Sequence, residues 1–398
     1  MDFDIVISGG GIAGLTAAAA FGAEGFRVLC VDPAPPITDR AAAGADLRST
    51  AFLQPARDLL TEAGLWPRLE SHAMALQVMR IVDAGGTGDT APVAHDFDAA
   101  DISQQPFGWN LPNWLLRREL SAHLADLPNV DYRPGTATTT LFTRAAEARV
   151  GLSDGNRVRT RLVIAADGRN SPMRQAAGIG VRTTRYGQKA LAFAVTHAEP
   201  HHNVSTEIHR SGGPFTLVPL PDHEGRPSSA VVWMEKGPEA QALMALAPAD
   251  FEAAMTDRSG GLYGPLTLAS QRSIWPIISQ HAEQLAGERL ALVAEAAHVL
   301  PPIGAQGLNM SLADLRVLRD LARTSPEGIG DTQMLAAYER ARMPDIRTRI
   351  AGIDLLNRAS MQSDPLLRAA RAMGLDALHR LTPVRKTLMQ LGLGARSS

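Results

Sequence analysis

Cysteine is almost missing: Cys30 is the single thiol in 398 residues. That excludes an internal disulfide, a Cys-x-x-Cys redox pair and a thiolate metal cluster, and it predicts a reducing compartment, the cytoplasm. An excess of positive charge is missing as well, since 39 Lys and Arg face 41 Asp and Glu, giving a formal net charge of -2. With no global positive field to attract a polyanion, nucleic acid is excluded as a partner. Long apolar runs are scarce. The uncharged, small-residue-rich run 9–23 is shorter than the roughly 20 apolar residues of a spanning helix, so no bilayer crossing is predicted. Asp2 and Asp4 stand where a signal peptide would carry basic residues, so none is indicated. His201, His202 and His209 lack a ligand spacing such as H-E-x-x-H, and no metal is predicted.

What remains is the composition of a globular protein with a substantial core, 45% hydrophobic and 20% charged, long enough for two packed domains. Residues 3–8 read as a buried strand, 9–14 as a glycine turn, 15–25 as an Ala-rich helix and 27–31 as a second strand, a βαβ unit. Residues 34–46 are rich in Pro, Ala and Gly and predict a loop, followed by a helix beginning near Thr50. Between 78 and 97, and again from 185 to 235, runs such as 190–195, 215–218 and 230–234 read as strands of a second, mostly antiparallel sheet. Runs 162–166 and 290–294 are short and apolar and end at Asp167-Gly168 and Glu295, as parallel strands feeding a site would. After Gly307 the pattern is helical, with a 3.6-residue period over 332–358 and a kink predicted at Pro344.

Gly9, Gly11 and Gly14 form G-x-G-x-x-G between strand and helix, with Ile12 and Ala13 between the last two. Backbone amides and the helix N-terminus can there meet a pyrophosphate that larger side chains would keep away. Asp32 closes the second strand, placed to accept hydrogen bonds from adenosine ribose hydroxyls. This fingerprint does not separate FAD from NAD.

Two further motifs do. Asp167, Gly168, Ser171 and Arg174 spell D-G-x-x-S-x-x-R, and residues 295–309 read EAAHVLPPIGAQGLN. With the glycine fingerprint they resemble the para-hydroxybenzoate hydroxylase-like, group A flavoprotein monooxygenases over nearly the whole chain. Residues 307–394, including Ala337-Tyr338-Glu339-Arg340 and Asp354-Leu355-Leu356-Asn357-Arg358, are similar to the ubiquinone-biosynthesis hydroxylases. The resemblance implies an α/β fold: a discontinuous Rossmann-like FAD-binding domain (1–75, 101–180, 276–330), an inserted, mostly antiparallel β-sheet substrate domain (76–100, 181–275) and C-terminal helices (331–398). It implies bound FAD, NAD(P)H as a transient co-substrate and O2, used through a flavin hydroperoxide to hydroxylate a hydrophobic phenolic ring, a polyprenylated precursor of ubiquinone.

Residue by residue, the resemblance places Glu295 on a ribityl hydroxyl, Pro302 at the cofactor, and Gly304, Ala305, Gln306, Gly307, Leu308 and Asn309 where backbone amides face the flavin. Arg48, in D-x-R-x-x-A, stands near the cofactor; Asn113 is a polar residue on FAD, with Arg117 one turn on. Asp167 and Gly168 handle FAD and NAD(P)H, and Arg174 orients their loop. Two departures are Ala294-Glu295 for the usual Gly-Asp and Gly304-Ala305-Gln306-Gly307 for Ala-Gly-Gln-Gly. His298 is expected to satisfy a local backbone group, and no catalytic base is named. Two alternatives stay open: a halogenase or prenyl reductase on the same scaffold, although W-x-W-x-I-P is absent, or a catalytically weak FAD-binding subunit of a biosynthetic complex. From Pro365 on, Arg368, Arg371, Arg380, Arg385, Lys386 and Arg396 interleave with Leu366, Leu375, Leu378, Leu381 and Leu388. Such a segment suits peripheral contact with an anionic inner membrane or with complex partners, or else packs its leucines on the core.

Overall fold

The computed structural model describes residues 1–84, 93–210, 212–361 and 381–393. Strand Ile5–Ser8 is buried at every position, as suits the centre of a parallel sheet covered on both faces. It pairs in parallel with Val28–Asp32 on one side and Leu162–Ala165 on the other. Val130–Pro134 and Leu290–Leu292 extend the sheet in parallel, and Ala286–Gly287 closes one edge antiparallel. Helix Ile12–Ala23 is buried all round from Ala13 to Gly22, which its alanines and glycines permit. A Cβ on Gly22 would lie 2.5 Å from Val130 Cγ2. The helix starts at Ile12, ahead of the expected residue 15, because Gly11 is its extended N-cap.

The helix expected near Thr50 is instead preceded by a strand. Ser49–Leu53 pairs antiparallel with Gly108–Pro112, and helix Gln54–Glu62 follows with Pro55 in its first turn. Thr50 and Phe52 favour a strand, while proline's missing N–H is harmless where a helix begins. Met74–Leu76 completes this three-stranded layer, and Thr138–Thr143, Ala148–Leu152 and Arg157–Thr160 form an antiparallel meander.

The second sheet runs in the order His298–Val299, Ser273–Ala282, Val181–Thr196, Arg226–Lys236, Pro214–His223, Val204–His209, Val78–Asp83, Val93–Asp98. It is antiparallel except where Val204–His209 meets Val78–Asp83 in parallel. Along Val181–Thr196, Leu191, Phe193 and Val195 alternate with Ala190, Ala192 and Ala194. The large side chains join Phe215, Leu217, Val231 and Trp233 in a core capped by Ala240, Phe251 and Met255 from helices Gly237–Ala245 and Pro248–Arg258. Successive strand residues point to opposite faces, so the alanines fall on the other side, where small side chains leave open space.

Helices Gln306–Thr324 and Thr332–Met361 follow, the second with Pro344 inside it, and helix Thr382–Leu393 ends the described chain. In that last helix Met389 packs in a cluster with Leu53 and Leu76, and Arg385 pairs with Asp101 at 2.9 Å. Arg368, Arg371, Arg380, Arg396, Leu366, Leu375, Leu378 and the Leu388 side chain lie outside the described residues. Among the described residues no helix is long and apolar enough to cross a membrane.

Candidate active site

The C-terminal ends of Ile5–Ser8, Val28–Asp32 and Leu162–Ala165 open onto a cavity of about 520 Å³, the place where α/β sheets receive ligands. Gly9, Gly11, Ile12, Ala13 and Asp32 line one end of it. The three glycines do different things. A Cβ on Gly14 would lie 1.9 Å from the Gly9 carbonyl oxygen, and one on Gly9, whose φ is +105°, would lie 2.3 Å from that of Ala166. Those two let backbone pack on backbone. At Gly11 a Cβ would meet nothing within 4 Å, so the bare backbone there faces open space at the N-terminus of a 12-residue helix, as an anionic pyrophosphate requires. Asp32 bridges the turn: Oδ2 accepts from the Gly10 amide at 2.6 Å and Oδ1 from Ala34 at 2.9 Å.

Farther along, Arg48, Asn113, Arg117, Asp167, Gly168, Glu295, Gly307 and Leu308 line the same cavity. Arg48 makes a two-pronged bond to Asp46, Nε to Oδ1 at 2.8 Å and one terminal nitrogen to Oδ2 at 2.7 Å. Asn113 Nδ2 donates to Asp46 at 3.0 Å, and Thr50 donates to Asn113 Oδ1 at 2.7 Å. Burial alone would raise the Asp46 carboxyl, but the Arg48 hydrogen bonds and charge, with the Asn113 amide, hold it below the usual carboxylate range. The guanidinium also lies over the Trp275 ring, 5.4 Å from its centroid. Asp46 is the first letter of D-x-R-x-x-A; the motif contained it, although only its arginine drew attention.

Asp167 Oδ2 accepts from Ser8 and from the Met173 amide, each at 3.2 Å, while Oδ1 is buried with no partner. Burial pushes its carboxyl up, against the hydrogen bonds from Met173 and Ser8. An unpaired buried oxygen beside a cavity fits a ligand that donates a hydrogen bond. Ser8 shares its hydroxyl with Thr138 at 2.7 Å, a residue that no local pattern marks. Glu295 lies 3.3 Å from Arg169 Nε.

Arg174 and Asn309 do not line the cavities. Arg174 is 4% exposed, and it donates to the Ala296 carbonyl at 2.8 Å and the Arg169 carbonyl at 2.9 Å. It thereby ties the Asp167-Gly168 loop to the Glu295 turn, and burial holds its guanidinium below the ordinary value. Asn309 clamps the Ser49–Leu53 strand: its Oδ1 accepts from the Leu53 amide at 2.9 Å and its Nδ2 donates to the Ala51 carbonyl at 2.8 Å. His298 does not bond a backbone group; its Nε2 lies 2.7 Å from Asp314 Oδ2, and Arg342 holds the other Asp314 oxygen at 2.7 Å.

A second cavity, about 380 Å³, adjoins the first through Arg48, Asn113, Glu295, Gly307 and Leu308. Pro302, Gly304, Ala305 and Gln306 form one wall, at the start of the 19-residue helix Gln306–Thr324. Gln306 itself is held by Arg349, which donates to its Oε1 at 2.7 Å. The other wall is the small-residue face of the large sheet, with Ala192, Ala230, Val232 and Trp275. Glu207, which no sequence pattern marks, is an acidic residue on that side. Among the described residues no group of three or more His, Cys, Asp or Glu is arranged to hold a metal ion.

Comparison with known proteins agrees with this geometry. The profile of the FAD binding domain family matches residues 2–350. The chain belongs to that family of flavoprotein monooxygenases. Ubiquinone hydroxylase UbiL of Rhodospirillum rubrum is 33% identical over 394 residues, covering 98% of this chain and 89% of its own. The 3-demethoxyubiquinol 3-hydroxylase of Escherichia coli is 28% identical, covering 98% of both chains. Among solved structures, p-nitrophenol 4-monooxygenase PnpA from Pseudomonas putida superposes with a TM-score of 0.79 at 20% identity, over 100% of this chain and 99% of that one, a likeness of fold. As a member of the FAD binding domain family this chain is an FAD-dependent monooxygenase, of the class that uses NAD(P)H and O2 on aromatic small molecules. The open backbone at Gly11 and the unpaired Asp167 oxygen suit the cofactor that membership implies.

Proposed function

We propose that this protein hydroxylates the phenolic ring of a polyprenylated precursor of ubiquinone. The observation that carries this reading is the second cavity: an apolar space walled by Ala192, Ala230, Val232 and Trp275 and continuous with the cofactor site. Bound FAD supplies the chemistry, taking electrons from NAD(P)H and activating dioxygen. The chain's own residues bind, orient and keep water out. In this reading the amides of Gly11, Ile12 and Ala13 hold the pyrophosphate, Asp32 the adenosine end, and Asp167 and Glu295 the polar groups between. Arg48, fixed by Asp46 and Asn113, stands where the two cavities join. The amides of residues 304–308 offer partial positive charge to the flavin ring from a helix N-terminus. Glu295 replaces an aspartate and is longer by about 1.5 Å of covalent reach, which a small loop shift absorbs with binding retained.

An apolar wall also suits a ring that carries an insoluble tail. Such a tail supports peripheral contact with an anionic membrane through the arginine-rich segment after Pro365. Purified protein is expected to carry one FAD per chain, to oxidise NAD(P)H faster when a phenolic ring is added, and to restore a hydroxylated quinone precursor, read by mass spectrometry, in cells lacking the activity. A correctly folded, colourless preparation that refuses added FAD would overturn the proposal. Bound FAD without turnover on any ring substrate would favour the scaffold reading.

A further inference from the structure

A buried acid without a structural cation sits in the substrate wall. On strand Val204–His209, Ile208 points into the helix-capped core while Ser205 and Glu207 face the second cavity. Glu207 is 7% exposed. Its Oε1 lies 2.8 Å from His209 Nε2, two residues on along the same face, and among the described residues His209 is the one partner of this carboxylate. Across the sheet Glu207 is in register with Thr216, then Val232, Ala192 and Ser273, and on its other side with Ile81, then His95, so its immediate neighbours in that row are the uncharged Thr216 and Ile81. Burying a carboxylate among apolar groups costs several kcal/mol unless it is paired. An imidazole that occupies one oxygen leaves the other for something that enters the cavity.

We propose that Glu207, positioned by His209, is the proton acceptor for the ring hydroxyl of the substrate. This rests on the reading above that the substrate is a phenol. As the ring carbon gains one oxygen atom of O2, electron density leaves the ring and its hydroxyl becomes strongly acidic. The phenolic O–H bond breaks, the proton passes to Glu207 Oε2, and a ring ketone forms. When aromaticity returns, the proton on the oxygenated carbon leaves to water and the ketone oxygen takes its proton back from Glu207. The ring is oxidised by two electrons; the second oxygen atom leaves as water with two electrons from NAD(P)H. A carboxylate is a sufficient base because it meets the hydroxyl at its most acidic. His209 keeps the carboxylate in one rotamer, and its Nδ1 is buried without a partner.

The other titratable groups around Glu207 have their own positions. Asp83 is in register with His209, and His95 is opposite Ile81, which pairs with Glu207. Across the cavity Arg48 pairs with Asp46, and Arg169 with Glu295.

The test uses FAD-loaded enzyme and a short-tailed 2-prenylphenol. Glu207→Gln should keep its FAD and its rate of flavin reduction by NAD(P)H. Its single-turnover hydroxylation should fall about 100-fold at neutral pH and recover as pH rises toward the ionisation of the phenol itself, near 10. Glu207→Asp should recover part of the loss, and His209→Gln should lose less than Glu207→Gln. Unchanged hydroxylation in Glu207→Gln, or a loss that is equal at every pH, overturns the proposal. A second readout needs no turnover. A carboxylate that accepts from the O–H favours the neutral phenol, so bound 4-nitrophenol should ionise about one pH unit lower in Glu207→Gln than in the wild type, by difference spectroscopy. Equal ionisation in both overturns the role of Glu207. Wild-type enzyme that shifts 4-nitrophenol as described yet hydroxylates no prenylphenol refutes the substrate reading and leaves the acceptor standing.

Discussion

Gly11 and Gly14 separate two demands that one fingerprint places side by side. Gly11→Ala adds a methyl into open space, so stability should stay within about 0.5 kcal/mol of wild type while flavin absorbance per chain falls sharply. Gly14→Ala drives a Cβ against the Gly9 carbonyl oxygen at 1.9 Å, and thermal melting should show a loss of about 3 kcal/mol with or without flavin. Equal behaviour of the two variants would contradict this division of labour. Both glycines were readable because their spacing is local and their physical reason is local. Arg174 and Asn309 were also readable as important, but not as supports: a motif gives the identity of a residue and is silent on whether its side chain meets a ligand or the next loop. Thr138 and Glu207 carry no signal at all, since what places each beside its cavity is contact with a residue far away in sequence, Ser8 for Thr138 and Ile81 for Glu207.

At the level of elements, alternation made the long sheet legible and also explains its two faces. Phe251 is fully buried against Phe193 and Trp233, with ring centroids 5.1 and 6.0 Å away. Phe251→Ala should cost about 3–5 kcal/mol in urea unfolding, because the helix Pro248–Arg258 that it anchors covers the sheet face opposite the cavity. A loss below about 1 kcal/mol would mean that this helix is not what holds the sheet in place. The strand Ser49–Leu53 escaped a reading by periodicity, since five residues flanked by Arg48 and a helix offer too short a pattern. The parallel contact between Val78–Asp83 and Val204–His209 was invisible for a different reason: its partners are more than 100 residues apart, and nothing local encodes who pairs with whom.

For the molecule as a whole, the cavity at the ends of the parallel strands draws on segments near residues 8, 32 and 165 and on turns near 295 and 307, so a ligand there touches segments that are far apart in sequence. Ligand that binds only the folded state stabilises it by mass action, about 2.7 kcal/mol at a hundredfold excess over its Kd. Adding FAD to flavin-stripped protein should therefore raise the melting temperature, by an amount that grows with FAD concentration; a melting point indifferent to FAD would argue against a shared site. Family and chemistry were legible from three short motifs, whereas the size of the substrate space was not, because it is set by which alanines the register turns inward. The path of the chain has one more consequence. It enters the parallel sheet at Ile5, leaves for the large sheet at Val78, returns at Val130, leaves again at Val181 and comes back at Ala286. Stitched through both layers in this way, the two sheets are not beads on a string, and a single cut by a protease in any one connecting segment should nick the protein without releasing either layer as a fragment.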